Sequence, residues 1–171
     1  MNDTVNPEQL KIPAAIDRLD TVLDYVRTCA GRAGFSPRRI TDLVLAVEEA
    51  VGNICRYAYP GGDGEIVIFS GNDSEGAFSI EIADGGVPFD LLSVEKPVFE
   101  GSLSRRKSGG LGIYLIRHMV DEVRYRREGQ CNVLSLVMCD RTKRKGRSPD
   151  PRSDSGDKHP SNAHNPSGVG L

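Results

Sequence analysis

The chain has 171 residues, 38% hydrophobic and 27% charged, with a formal net charge of -2, which suits one domain with room for a real core. That balance excludes a wholly disordered chain and the collagen, mucin and coiled-coil classes. No run of about 18 apolar residues offers a membrane span, and the opening MNDTVNPEQL has neither a basic nor an apolar leader region, so a cytoplasmic protein with no membrane partner is expected.

Ile12, Ile16, Leu19, Leu23, Val26, Ala30 and Ala33 recur three or four residues apart, which predicts a first helix from about Pro13 to Ala33. Gly34 ends it. Ser36-Pro37 then reads as the N-cap and first turn of a second helix, because a hydroxyl satisfies a free N–H and proline has none to lose. This helix should reach about Tyr57, with Ile40, Leu43, Val44, Val47, Val51 and Ile54 as its core stripe. The cluster Pro60-Gly61-Gly62-Asp63-Gly64 stops the helical signal. Two period-2 segments follow, Glu65 to Ser70 and Ala77 to Ala83, joined by a turn around Gly71-Asn72-Asp73.

Residues 91 to 108 lose periodicity and gather Ser, Arg, Lys and Gly, the composition of a functional loop or lid. A short helix is expected after Gly112, with Ile113, Ile116, Met119 and Val120 inward. A hairpin turning at Glu128-Gly129-Gln130 then joins Glu122 to Arg127 with Cys131 to Met138. The order α, α, β, β, loop, α, β, β groups strands in hairpins and predicts an α+β two-layer sandwich with a mixed, mostly antiparallel sheet. After Asp140 the chain holds seven basic side chains against three acidic ones, among prolines, serines and glycines. Residues 1–140 are expected to form the domain and 141–171 a disordered basic tail, because nothing there can offset the entropy of ordering. The domain itself carries 15 basic and 21 acidic residues, which argues against direct nucleic-acid binding. Cys29, Cys55, Cys131 and Cys139 have no metal-ligand spacing and read as buried reduced thiols.

Three polar clusters interrupt the core pattern. Glu49 and Asn53 lie four apart on one helical face, opposite the core stripe, while Glu48 lies nearer to it; alone, the pair reads as a solvated face rather than a site. Asp84-Gly85-Gly86-Val87-Pro88-Phe89-Asp90 follows a strand directly, and its plain reading is a turn. Ser108-Gly109-Gly110-Leu111-Gly112-Ile113 runs into a helix, where backbone N–H groups can face an anion such as a phosphate. A flexible loop end is the other reading. There is no GxxxxGK[ST], HExxH or GxSxG. His118, a lone helical histidine, reads as packed or exposed.

Taken together, Glu49-xxx-Asn53, Asp84-x-Gly86-x-Pro88-Phe89-Asp90 and Gly110-Leu111-Gly112 resemble, in order and spacing, the N, G1 and G2 boxes of the GHKL ATPase/kinase superfamily. The variant with Pro88, the stretch from Leu45 to Pro60 and the stretch from Gly109 to Tyr125 resemble the anti-sigma-factor serine kinase branch. The resemblance implies the Bergerat ATP-binding fold, with ATP and Mg²⁺ as cofactors. It assigns Glu49 as general base and Asn53 as Mg²⁺ ligand, an amide oxygen suiting this hard cation. Asp84 becomes the acceptor for the adenine amine, against which guanine would set an acceptor oxygen, and Gly86 allows close approach to the base. Gly109, Gly110, Leu111 and Gly112 would hold the phosphates, with Lys107, or Arg105 or Arg106, screening their charge. The implied partners are a sigma factor and a STAS-domain anti-anti-sigma protein, with a homodimer plausible by resemblance. A nucleotide-tuned binding module without phosphotransfer, or transfer to histidine on a separate protein, would use the same scaffold.

Overall fold

A computed structural model of the chain describes residues 4–6, 9–72, 77–90 and 110–139, with backbone alone for 4–6, 110 and 111. The expected lid at 91–108 and tail at 141–171 lie outside the described residues. Six strands form one sheet in the order β1-β2-β3-β4-β6-β5. They are β1 (Thr4–Asn6), β2 (Gln9–Pro13), β3 (Glu65–Asn72), β4 (Phe78–Asp84), β5 (Glu122–Glu128) and β6 (Cys131–Met138). Every pairing among them is antiparallel, so the parallel component that a mixed sheet allows is not found among the described strands. Three helices, α1 (Leu19–Arg32), α2 (Pro37–Tyr57) and α3 (Gly110–Met119), complete the α+β sandwich.

The core lies between the layers. Leu10, Ile12, Ile66, Ile68, Ile80, Ile82 and Leu136 of the sheet are fully buried together with Val22, Val26, Leu43, Val47 and Val51 of the helices. The stripe expected for α2 holds: Leu43, Val44, Val47 and Val51 are buried, and Ile40 and Ile54 pack against the core. The Ser36 hydroxyl accepts from the Arg39 N–H at 3.5 Å, and Pro37 opens the helix. At the end of α1, Gly34 adopts φ 85°. The Phe35 N–H reaches the Ala30 carbonyl at 3.2 Å and the Gly34 N–H the Gly31 carbonyl at 3.0 Å, the paired bonds of a Schellman cap. Phe35 then packs on Phe78, ring centroids 5.4 Å apart.

Four expectations change. The predicted first helix begins too early: Ile12 sits in β2, paired with Ile66, and a single 3-10 turn at Ile16–Arg18 precedes α1. Pro13 ends the strand there, and Ile16 is 56% exposed. Gly71 and Asn72 continue β3 and pair with Ser79 and Phe78, so the turn lies later. Finally α3 starts at Gly110, with Leu111 and Gly112 already helical. All four cysteines are free, but only Cys29 is buried and Cys131 is exposed, because it opens β6 at the rim of the hairpin.

Candidate active site

A cleft of about 190 Å³ opens at one end of the sandwich, lined by Ala50, Asn53 and Ile54 of α2, Ile113 and Ile116 of α3, Asp84, Asn132 and Leu134 of the sheet, and segment 87–89. Helix α2 runs along this cleft as a ruler. Its C-cap residue Ala58 offers its carbonyl to the Val87 N–H at 2.9 Å. At 1.5 Å of rise per residue, Asn53 lies roughly 7 Å and Glu49 roughly 13 Å back along the axis. The two residues of α2 are therefore stepped back at two distances from the segment at Val87.

At the near end Asp84 closes β4 and is 6% exposed. Its Oδ1 accepts from the Gly86 N–H at 2.8 Å and from Asn132 Nδ2 at 2.9 Å. Its Oδ2 receives no hydrogen bond from the described residues, so one oxygen is anchored and the other is left to the cleft. Gly86 is confined by its own neighbours. A Cβ there would lie 2.5 Å from the Ala58 carbonyl oxygen and 2.8 Å from Asp84 Oδ1, so the turn presses against the end of α2.

At the far end Asn53 Nδ2 donates to Glu49 Oε1 at 3.2 Å. An ionised carboxylate only accepts, which turns the amide nitrogen toward it and frees the carbonyl oxygen. Helix α3 brings its first turn onto the same spot, since a Cβ on Gly112 would overlap the Glu49 carboxylate. The N–H groups of that turn have no intrahelical acceptors, so a half-buried carboxylate, an amide oxygen and a helix N-terminus converge. The structure thus unites Glu49, Asn53 and Gly112 at one end and Asp84 and Gly86 at the other. Gly110 and Leu111 join the first group through their helical backbone, whereas Lys107, Gly109, Arg105 and Arg106 lie outside the described residues.

Glu48, expected nearer the core, is exposed; α2 also buries Ala46 and Ala50, so its covered arc is wider than one stripe, and it is Glu49 rather than Glu48 that lies against Gly112 of α3. His118 is exposed, stacks on Tyr114 at 3.9 Å and bonds the Tyr114 carbonyl at 2.7 Å, a local arrangement away from the cleft lining.

Several residues at the site were not singled out from the sequence. Asn132, 5% exposed, faces Asp84 across the β4–β6 ladder. Tyr125 and Arg127 on β5 donate to its Oδ1 at 2.8 and 2.7 Å, and Arg127 also reaches the Gly86 carbonyl at 3.1 Å. The Tyr59 hydroxyl donates to the Glu65 carbonyl at 2.8 Å and accepts from the Gly85 N–H at 2.9 Å; burial raises its pKa above the ordinary 10.0. The available signal was a lone amide in the otherwise apolar start of β6, and an aromatic beside the turn Pro60-Gly61-Gly62.

The family model for the histidine kinase-like ATPase domain matches residues 12–138. The serine-protein kinase RsbW of Bacillus thuringiensis (strain Al Hakam) is 32% identical over 130 residues, covering 74% of this chain and 81% of that protein. RsbW of Bacillus cereus (strain 03BB102) matches to the same extent. Among solved structures, the RsbU and RsbW domains of a Mycobacterium tuberculosis protein share the fold, with a TM-score of 0.51 at 20% identity over 76% of this chain and 32% of that one. With its cleft bounded by the three boxes and the match spanning almost every described element, the chain belongs to the histidine kinase-like ATPase domain family, in the branch of the RsbW serine-protein kinases.

Proposed function

We propose that this chain transfers the γ-phosphoryl group of ATP to a serine or threonine hydroxyl of a small STAS-type anti-anti-sigma protein, and alternatively sequesters a sigma factor in the cytoplasm. One observation carries the reading. The bonded pair Glu49 and Asn53 sits against the N-terminal turn of α3, with Asn53 lining the cleft whose other end presents the uncommitted oxygen of Asp84.

In this reading Asp84 Oδ2 accepts from the adenine amine, and the backbone of Gly110, Leu111 and Gly112 faces the phosphates at the positive end of α3. Gly109 and one of Lys107, Arg105 and Arg106 would add to that phosphate contact. Asn53 Oδ1 would hold Mg²⁺, which supplies charge neutralisation on the phosphates when bound. Glu49 takes the proton of the attacking hydroxyl as the new O–P bond forms and the bond to the ADP oxygen breaks. Asn53, donating to Oε1, leaves Oε2 for that proton. Positioning and charge neutralisation supply most of the acceleration in such transfers, and the base adds about 10² to 10⁴.

The test incubates the full chain with γ-labelled ATP and candidate STAS proteins. Glu49→Ala is expected to lower transfer by about 10² or more while ATP still binds by calorimetry, and Asn53→Ala to weaken binding of ATP in the presence of Mg²⁺. Transfer by Glu49→Ala at the wild-type rate would overturn the assignment of the base. Acid-stable phosphoserine on the STAS protein is the expected product, and its absence with every candidate would overturn the choice of partner.

A further inference from the structure

The hydrogen-bonding capacity of Asn132 is fully used. Its amide nitrogen donates to Asp84 Oδ1 at 2.9 Å and to the Val87 carbonyl at 3.0 Å. Its carbonyl oxygen accepts from the Tyr125 hydroxyl at 2.8 Å and from the Arg127 guanidinium at 2.7 Å. Two donors and two acceptor sites are all that this side chain owns. The two donors on Oδ1 also leave only one amide orientation: a flipped amide would set its oxygen against Asp84 and its nitrogen against Tyr125 and Arg127. Buried polar groups are costly unless satisfied, and a fully satisfied network is rigid.

The network has a direction. Tyr125 and Arg127, two residues apart on β5, share a face of that strand. They hold Asn132, and Asn132 holds Asp84 and the turn at Val87. Arg127 braces the same turn from the other side through the Gly86 carbonyl, at 3.1 Å. Each of these contacts bears on the orientation of one carboxyl plane.

We propose that Asn132, fixed by Tyr125 and Arg127, is a positioning residue that sets purine specificity by holding Asp84 with Oδ2 aimed at the base. The proposal rests on the reading of Asp84 as the adenine acceptor. Its chemistry concerns the difference between the two purines. Adenine carries a donor amine at the position where guanine carries an acceptor oxygen, and guanine carries an N–H donor one ring atom away. A carboxylate held still meets the guanine oxygen and repels it. A carboxylate free to turn reaches the neighbouring N–H instead and accepts guanine. The lock therefore contributes discrimination as well as affinity, since specificity is a difference between two binding free energies.

The test measures ATP and GTP binding to the full chain by displacement of a fluorescent nucleotide, for wild type, Asn132→Ala, Tyr125→Phe, Asp84→Asn and the double variant Asp84→Asn/Asn132→Ala. Asn132→Ala is expected to weaken ATP about tenfold or more, as for a hydrogen bond to a charged group, and GTP much less, so that the ratio of the two affinities narrows. In the Asp84→Asn background the same change is expected to cost little, because Asn132 acts through Asp84. Tyr125→Phe, which removes one hydroxyl and keeps Arg127, is expected to narrow the ratio by a factor of about two to five; it carries the test if Asn132→Ala fails to fold. A loss of equal size for ATP and GTP, or an unchanged ratio in both single variants, overturns the proposal alone. Unchanged ATP affinity in Asp84→Asn overturns the reading of Asp84 and the proposal with it.

Discussion

A methyl group added at Gly86 would lie 2.5 Å from the backbone oxygen of Ala58, against an atom that cannot move without bending the end of α2. One added at Gly112 would meet the carboxylate and Cγ of Glu49, atoms of a flexible side chain that can turn away as a whole. The two glycines therefore answer differently to the same substitution. Gly86→Ala is expected to destabilise the fold by about 1–3 kcal/mol, measured by urea denaturation. Gly112→Ala is expected to leave stability within about 1 kcal/mol but to displace Glu49 and lower phosphotransfer about 10²-fold, measured with labelled ATP at saturating substrate. At this scale Glu49, Asn53, Asp84, Gly86 and Gly112 were legible as residues brought together in space, because each belongs to a stretch with fixed internal spacing. Asn132, Tyr125 and Arg127 were not. Their contribution arises from strand register, which pairs Asp84 with Asn132 and Arg127 with Asn132, and register is not written in either residue's neighbours.

Helix α2, strand β3 and the turn after β4 are pinned together by one phenol. Tyr59 bonds the Glu65 carbonyl and the Gly85 N–H, and its ring leaves no room for a Cβ at Gly64. Tyr59→Phe removes both bonds and keeps the ring. We expect a stability loss of about 1–2 kcal/mol and faster hydrogen exchange at the Gly85 amide, with ATP affinity reduced severalfold as the turn loosens. Exchange at Gly85 unchanged from wild type would show that the turn is held by other contacts. The helices were readable as elements because cap chemistry and a long stripe agree, as at Ser36-Pro37 and Leu43 to Val51. Strand β2 was not, because five residues are too few to separate the two periods: Leu10 and Ile12 alternate as a strand requires, while Ile12 and Ile16 fit a helix equally. Pro13 then read as a helix start, whereas its missing N–H marks the end of the strand.

Across the whole molecule, the sheet face turned away from the helices is strapped by charge. The Arg126 guanidinium bonds both Glu81 oxygens, at 2.9 and 3.2 Å, and reaches Glu128 at 2.6 Å, while the Ser135 hydroxyl donates to Glu81 at 2.8 Å. These bonds join β4, β6 and β5. Hydrogen bonding from Arg126 is the main cause that holds the Glu81 carboxyl below its ordinary 4.5. The folded chain thus binds that proton less readily than the unfolded one. The strap contributes its full stability above pH 4.5 and loses it as pH falls through the lower folded value. Thermal melts between pH 7 and pH 3 are expected to show a steeper acid decline for wild type than for Glu81→Gln; parallel curves would mean that the strap carries no net stability. The two-layer α+β plan was legible from the order of elements, but the order of strands was not, since it depends on where the last hairpin inserts.

That insertion places β6 between β4 and β5, so Asp84 meets Asn132 across 48 positions of chain. A polypeptide still emerging from the ribosome can have made α2, β4 and the turn after it and still lack one wall of the cleft. Under the proposed function, nucleotide capture waits for the final hairpin to dock, and a truncated or half-folded product has no complete grip with which to compete for the nucleotide pool.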